Sequence, residues 1–169
     1  MAKALIVVDW LEEWRTPGSD YFISDLKEET GRVKRLIQHC RGKGIPVIFI
    51  KHVEPESTKE FSGARAELMP ELEVGGDRVV VKNHVSPFYQ TGLEDILKEM
   101  GVEEVIVAGI LTNLCVRSLI SDAYDRDCRI TVIKDCCVSF KPEVQEFTLR
   151  DLKETRPEIE FLDLEEFIK

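Results

Sequence analysis

Short runs of consecutive apolar residues alternate along the chain with longer segments in which apolar residues recur at helical spacing. The short runs are rich in valine and isoleucine and are mostly unbroken by polar residues, which is typical of strands buried on both faces of a sheet. Leu5–Val8 is the first of these runs. The pattern predicts six strands, at residues 5–8, 47–50, 79–81, 105–108, 130–133 and 159–162.

Four of the segments between the strands have the period of an amphipathic helix. Thr91 and Glu94 have the spacing of a capping box, and Pro142 occupies the position of a first helical residue. Helices are predicted over residues 23–40, from 91 to 100, from 112 or 113 to 124, and from 142 to 152.

Apolar strands that alternate with helices indicate a parallel sheet with helices on both faces. We therefore predict one α/β domain over residues 1–169, a three-layer α/β/α sandwich with a mainly parallel, six-stranded, Rossmann-like sheet. Residues 51–76 show no sustained period beyond a possible helical turn at 64–68. A connection of this length in a compact domain is expected to be a functional loop or cover.

The composition argues against several classes of function. The chain has 23 Lys and Arg against 32 Asp and Glu, a formal net charge of −9 and no basic run, which disfavours binding to nucleic acid. No apolar stretch approaches the roughly 20 residues of a membrane span, and the first residues do not resemble a secretory signal, so we expect a cytoplasmic protein. The five cysteines have no repeated C-x-x-C pairing and are expected to be free thiols.

Ligands of parallel α/β sheets bind beyond the carboxyl ends of the strands. Three side chains that can take part in catalysis occur at such positions. Asp9 follows the first predicted strand, Lys82 follows the third, and Cys115 lies in the turn after the fourth. Each has a structural interpretation, as a buried cysteine or as a charged group with a local partner. Together they supply a nucleophile, a proton acceptor and a cation at one edge of the sheet.

Cys115 is the strongest of the three candidates for a catalytic role. It is predicted to lie in the first turn of a helix, where backbone N–H groups and the helix dipole favour a thiolate and lower the pKa of the thiol toward neutrality. The same N–H groups could stabilise an oxyanion.

Motifs for phosphate and nucleotide chemistry are missing. The residues after Cys115 do not form the loop of a cysteine phosphatase, and Asp9 lacks the second aspartate of an aspartyl-phosphate hydrolase. Neither G-x-G-x-x-G nor G-x-x-x-x-G-K-[ST] occurs, so nucleotide binding of those kinds has no support.

Three ordered segments resemble the isochorismatase-like cysteine hydrolases, the group that contains nicotinamidases, N-carbamoylsarcosine amidases and isochorismatases. Residues 7–14 resemble the family's opening strand, its Asp and an aromatic residue five positions later. Residues 81–93 are similar to the K-x-x-x-S-x-F-x-x-T-x-L segment. Residues 108–116 resemble the G-x-x-T-[DN]-x-C-V nucleophile turn, and the resemblance extends over nearly the whole chain.

The resemblance implies a role for each candidate residue. Cys115 would be the nucleophile, Asp9 the base that takes its proton, and Lys82 the electrostatic partner. The backbone N–H groups of Leu111 and Cys115 would form the oxyanion hole, and the peptide bond between Ile110 and Leu111 would be cis.

The implied reaction is the hydrolysis of a C–N bond in an amide or carbamoyl group of a small molecule, through a thioester acyl-enzyme. Two alternatives stay open. One is the hydrolysis of a vinyl ether, as in isochorismatases, and the other is a redox-sensing or small-molecule-binding domain that uses Cys115.

The sequence departs from the family pattern in two places. Leu11 and Glu12 replace the Gln-Asn pair that commonly follows the first Asp. Metal-binding nicotinamidases carry Asp-x-His after the second strand, whereas Ile50 stands before Lys51 and His52 here. His52 with nearby glutamates is a poor set of ligands, so we expect neither a metal nor a cofactor.

A substrate pocket is predicted to involve Trp10, Trp14, Phe88 and Asn113, although core packing would explain the aromatic residues equally well. The expected partner is a small-molecule substrate, selected by the 51–76 segment or by a neighbouring subunit. Family members commonly form dimers or tetramers, so the resemblance also implies a homo-oligomer.

Overall fold

Six parallel strands form the sheet at the centre of the molecule. The computed structural model describes residues 1–169, and its strands are β1 Ala2–Val8, β2 Val47–His52, β3 Arg78–Lys82, β4 Val102–Ile110, β5 Arg129–Val138 and β6 Glu160–Leu162. Their spatial order is β3-β2-β1-β4-β5-β6, with every neighbouring pair parallel. The six predicted strands are confirmed.

Helices cover both faces of the sheet. They are α1 Lys27–Gly42, α2 Leu93–Glu99, α3 Arg117–Tyr124, α4 Pro142–Thr155 and α5 Leu164–Phe167. Apolar residues of α1 and α5 join one core cluster, and those of α2, α3 and α4 join the other, on the opposite face. The predicted three-layer α/β/α sandwich is therefore confirmed. None of these helices has the length and apolar composition needed to cross a membrane.

The apolar runs explain why the sheet lies at the centre. Every side chain from Ala4 to Val8 in β1 is fully buried, and so are those from Val105 to Ala108 in β4. Successive side chains of a strand point to opposite faces, so an unbroken apolar run supplies both core clusters at once.

The capping box predicted for Thr91 and Glu94 is wrong. Gly92 is the residue before the first helical position of α2, so Glu94 occupies the second position and does not have the spacing of a capping box. Its carboxylate instead binds the Lys98 ammonium at 2.7 Å, while Thr91 Oγ1 accepts a hydrogen bond from the Leu93 N–H at 3.3 Å.

The first two residues of the 51–76 segment end β2, and the rest folds back over the carboxyl end of β1 with single turns of 3-10 helix at Gly63–Ala66 and Pro70–Leu72. The expected cover is therefore present above the end of the central strand. Two backbone hydrogen bonds hold it there: the Glu12 N–H donates to the Glu67 carbonyl at 2.9 Å, and the Met69 N–H donates to the Trp10 carbonyl at 3.0 Å. Together they form an antiparallel bridge between Leu11 and Leu68.

Candidate active site

The candidate site lies where the winding direction of the sheet reverses. β1 and β4 are neighbours, and the chain leaves them toward opposite edges, so a crevice opens between the loops that follow these strands. Asp9 follows β1, Lys82 is the last residue of β3, and Cys115 follows β4 in a turn of π-helix over residues 112–116 that continues into α3. Cys115 therefore lies in the first helical turn, as the sequence predicts.

The Lys82 ammonium joins the three predicted side chains. Its Nζ lies 2.9 Å from Asp9 Oδ2 and 3.5 Å from Cys115 Sγ. The thiol, the carboxylate and the amine, separated by more than a hundred residues in sequence, are thus brought into one cluster by the parallel order of the strands.

Two further acceptors surround Lys82 Nζ, the backbone carbonyl of His84 at 2.9 Å and His52 Nδ1 at 3.1 Å. Because the ammonium donates to Nδ1, the proton of the neutral imidazole lies on Nε2, which donates to Glu54 Oε1 at 2.7 Å. His52, to which the sequence assigns no specific role, therefore helps to orient the lysine.

Asp9 and Lys82 form a buried ion pair, with 1% and 2% of the residues exposed. The attraction between such charges must offset the cost of removing both from water, so a buried pair is a weak source of stability. Asp9 Oδ1 is also buried and has no hydrogen-bond partner. The carboxylate therefore keeps a free acceptor atom in an environment of low dielectric constant.

The backbone fixes the orientation of Asp9. Its φ of 49° lies in the left-handed region, which a residue with a side chain adopts only when its surroundings hold it there. The Asp9 N–H donates to the Ile50 carbonyl at 3.0 Å, and the Trp14 indole N–H donates to the Asp9 carbonyl at 2.6 Å. Asp9 is thus held by the neighbouring strand and by Trp14.

Burial raises the pKa of the Cys115 thiol to about 12, the negative charge of Asp9 raises it as well, and the Lys82 ammonium opposes both effects. The prediction that the helix terminus lowers this pKa toward neutrality is wrong, because desolvation of the thiolate has the larger effect. At neutral pH the sulfur is therefore held as a thiol.

The backbone of β4 passes very close to that of β1 beside the site. Gly109 pairs with Val8, the residue before Asp9, and a Cβ atom at Gly109 would lie 2.5 Å from the Val8 Cβ and 2.6 Å from its carbonyl oxygen. No side chain fits in that space. At the end of the same strand, the peptide bond between Ile110 and Leu111 is cis, as the resemblance implies.

We expect Gly109→Ala to lower the free energy of unfolding by about 1–3 kcal/mol, because the added methyl group must displace Val8 or β4. Thermal or denaturant unfolding measures this loss. Gly31→Ala is the matched control, since a methyl group there meets nothing within 4 Å inside α1 and should be neutral or stabilising. A Gly109→Ala protein as stable as the parent would contradict the close approach of the two strands.

A cavity of about 300 Å³ opens beside the sulfur and the carboxylate. Leu111 and Cys115, the two residues whose backbone N–H groups the resemblance assigns to an oxyanion hole, both border it. The cavity is lined by Asp9, Trp14, Tyr21, His52, Glu54, Thr58, Glu60, Phe61, Val85, Leu111, Leu114 and Cys115.

Of the four residues predicted for the pocket, only Trp14 lines this cavity, and the other three require correction. Trp10 is fully buried in the core, where its indole N–H donates to Thr30 Oγ1 at 3.0 Å. Phe88 packs under the Arg126 guanidinium, 4.4 Å from the ring centroid. Asn113 is exposed, and the next residue in the helical turn after β4, Leu114, lines the cavity instead.

Two aromatic residues that the sequence did not indicate complete the wall. Trp14 makes edge-on contacts with Tyr21 and Phe61, with ring centroids 6.1 and 5.1 Å apart, and Phe61 lies 5.3 Å from the His52 ring. Phe61 belongs to the 51–76 segment, so that segment does border the cavity. Neither Tyr21 nor Phe61 lies in a periodic stretch, which left no signal for them.

Glu13 holds Phe61 in place. Its side chain is fully buried, and its carboxylate accepts the Phe61 N–H at 2.6 Å and a hydrogen bond from the Ser19 hydroxyl. The Arg65 guanidinium lies 3.5 Å from the same carboxylate. One buried acidic group therefore connects the turn after β1 to the wall contributed by the 51–76 segment.

The chain's donor set does not fit a metal ion. Residues 1–169 contain no group of three His, Cys, Asp or Glu side chains placed to hold one. Both ring nitrogens of His52 are engaged, with Lys82 and Glu54, and the buried Ile50 stands where metal-binding nicotinamidases have an aspartate.

The fold agrees with the comparisons to known proteins. The model of the isochorismatase domain matches residues 3–160, which is most of the chain. The chain belongs to the isochorismatase family. The family and the enzyme class predicted from the sequence, a hydrolase, are confirmed.

Curated relatives and solved structures support this membership. The chain is 30% identical to the isochorismatase family protein YaaI of Bacillus subtilis (strain 168) over 87% of this chain and 86% of that one. It is 30% identical to nicotinamidase 3 of Arabidopsis thaliana over 88% and 79% of the two chains. An isochorismatase-like hydrolase from Alkaliphilus metalliredigens has the same fold, with a TM-score of 0.88, 23% identity and coverage of 99% and 98%.

Proposed function

We propose that this isochorismatase-family protein hydrolyses the C–N bond of a small non-peptide amide or carbamoyl compound through a thioester on Cys115. The observation that carries the proposal is the contact of Lys82 Nζ with both Asp9 Oδ2 and Cys115 Sγ, at the base of an aromatic cavity. The relative named a nicotinamidase supports an amide as the substrate class.

The first step is the transfer of the Cys115 proton to Asp9. The thiol is protonated at neutral pH, so the nucleophile must be generated when substrate is bound. Asp9 Oδ1 has no other hydrogen-bond partner and can accept the proton, while Lys82 stays beside the sulfur to stabilise the thiolate. Closure of the cavity by substrate excludes water and strengthens this ion pair.

The thiolate then attacks the carbonyl carbon, forming a C–S bond and an oxyanion. The backbone N–H groups of Leu111 and Cys115 are proposed to stabilise that oxygen. Collapse of the intermediate breaks the C–N bond, and the proton held by Asp9 goes to the leaving nitrogen, so that ammonia or an amine departs.

The remaining thioester is hydrolysed in the same site. Asp9, again a carboxylate, takes a proton from a water molecule, which attacks the acyl carbon. The C–S bond breaks, and the proton returns to Cys115, which restores the thiol and releases a carboxylic acid. His52 and Glu54 hold Lys82 in position throughout these steps.

The two alternatives have less physical support. A redox sensor requires an accessible thiol of low pKa, whereas Cys115 is buried and its pKa is raised. A nucleophilic thiol beside a proton acceptor favours covalent chemistry over hydrolysis of a vinyl ether. The homo-oligomer predicted from the resemblance stays a prediction.

The proposal is tested by ammonia release from a panel of small amides, ureas and carbamoyl amino acids, combined with mass spectrometry of the acid-quenched protein. We expect at least one compound to be turned over and to leave an acyl group on the peptide that contains Cys115. Turnover without any adduct on Cys115, even under rapid quenching, would count against the thioester. Failure of the whole panel would reject the amide class.

A further inference from the structure

The walls of the cavity carry charge of one sign. Three of the lining residues, Asp9, Glu54 and Glu60, bear carboxylates, and none of the lining residues is Lys or Arg. The Lys82 ammonium lies behind this surface, with its side chain fully buried against Asp9. A substrate group that enters the cavity therefore faces negative charge without a free cation.

Glu60 is the carboxylate of this set that takes part in no ion pair. Glu54 is bound to His52 and Asp9 to Lys82. Arg65, a cation of the same 51–76 segment, is engaged by Glu13. Glu60 thus lines the cavity while its carboxylate forms no salt bridge within the protein.

The aromatic lining of the cavity also favours a cation. Trp14, Tyr21 and Phe61 line it, and aromatic rings attract cations through the negative potential of their faces. Asp9 does not serve this role, because its Oδ2 is paired with Lys82 and its Oδ1 is the proposed acceptor of the Cys115 proton. A substrate carboxylate would lose its hydration in the cavity without gaining a cationic partner there.

We propose that the cavity selects amides that carry a positive charge away from the scissile carbonyl, such as an ammonium group, and rejects amides that carry a carboxylate. Glu60 is the specificity-determining residue, since it offers the free charge. This inference rests on the proposed function, because it assumes that the scissile group lies at Cys115. A single carboxylate within about 6 Å of the cation, at an intermediate dielectric constant, changes the affinity about tenfold.

The test uses three linear amides that differ in the terminal group: 4-aminobutanamide, which is cationic, pentanamide, which is neutral and nearly isosteric, and glutaramate, which is anionic. We expect kcat/KM to decrease in that order, by about tenfold at each step at low salt. Isothermal titration of the Cys115→Ala variant measures binding of the same amides without turnover, and the order of affinities should be the same.

Glu60→Gln should lower the ratio of kcat/KM for the cationic over the neutral amide by about tenfold. Glu56→Gln is the matched control, because Glu56 is an exposed carboxylate of the same segment that does not line the cavity, and the ratio should not change. Equal losses of the ratio in the two variants would indicate a general effect of net charge and would overturn the role of Glu60.

The two proposals fail in different ways. If Cys115→Ala binds the cationic amide most tightly but the parent protein hydrolyses none of the three, the charge preference stands and the hydrolysis does not. If the parent hydrolyses amides but prefers pentanamide or glutaramate, the hydrolase stands and the charge selection is overturned.

Discussion

Cys115→Ala should reduce amide hydrolysis by a factor on the order of 10⁴, because it removes the atom that forms the thioester. The variant should remain folded, since Cys115 lies at the edge of a cavity and its side chain makes few interactions that a methyl group could not replace. The measurement is ammonia release at saturating substrate, with circular dichroism and thermal unfolding to establish the fold.

Cys40→Ala is the matched control for that variant. Cys40 is a fully buried cysteine of α1, and burial raises the pKa of its thiol to about 12, as it does for Cys115. We expect the control to lose some stability, as removal of a buried sulfur leaves a small cavity, and to keep its turnover number. Substantial hydrolysis by Cys115→Ala, with Cys40→Ala unaffected, would reject the assignment of the nucleophile.

Asp9→Asn should separate the reactivity of the thiol from catalysis. The Asp9 carboxylate is one of the groups that raise the pKa of Cys115, and Lys82 lowers it, so removal of the negative charge should lower the pKa of the thiol. Each unit by which the thiol pKa decreases gives about ten times more thiolate, at a pH below the pKa of the thiol in both the parent and the variant. We expect faster alkylation of Cys115 by iodoacetamide at pH 7–8, quantified by mass spectrometry of its peptide.

Hydrolysis by the same variant should fall by a factor on the order of 10³, because asparagine cannot accept the proton and return it to the leaving nitrogen. Lys82→Met provides the opposite case, since loss of the ammonium should raise the pKa of the thiol further and slow its alkylation. Hydrolysis at the parental rate would show that Asp9 does not act as the base. Slower alkylation of Asp9→Asn would contradict the inference that the Asp9 charge raises the pKa of the thiol.

The catalytic candidates could be predicted because their positions follow from strand order. Asp9, Lys82 and Cys115 each follow an apolar run, and in a parallel sheet the carboxyl ends of those runs meet at one edge. Local sequence therefore carries the information that brings them together, even though their separation along the chain is large.

Other parts of the site depend on tertiary packing, which no periodic pattern records. His52 meets Lys82 because β2 and β3 pair with these two residues in register. Phe61 lies in residues 53–62, which form neither helix nor strand, and its position is set by the buried carboxylate of Glu13. The direction of the Cys115 pKa shift was predicted wrongly because burial of the thiol raises its pKa, and tertiary packing determines how deeply the thiol is buried.

The attachment points of the 51–76 segment separate the chemistry from the choice of substrate. The Val53 N–H is bonded to the Lys82 carbonyl at one end, and Glu67 to Met69 are bonded to the chain after β1 at the other. Thr58, Glu60 and Phe61 lie between these anchors. Glu54, which holds His52, must stay, but residues 55–66 form an exchangeable module. Insertions, deletions or new side chains within it remodel the mouth of the enzyme while the thiol, the carboxylate and the amine keep their places.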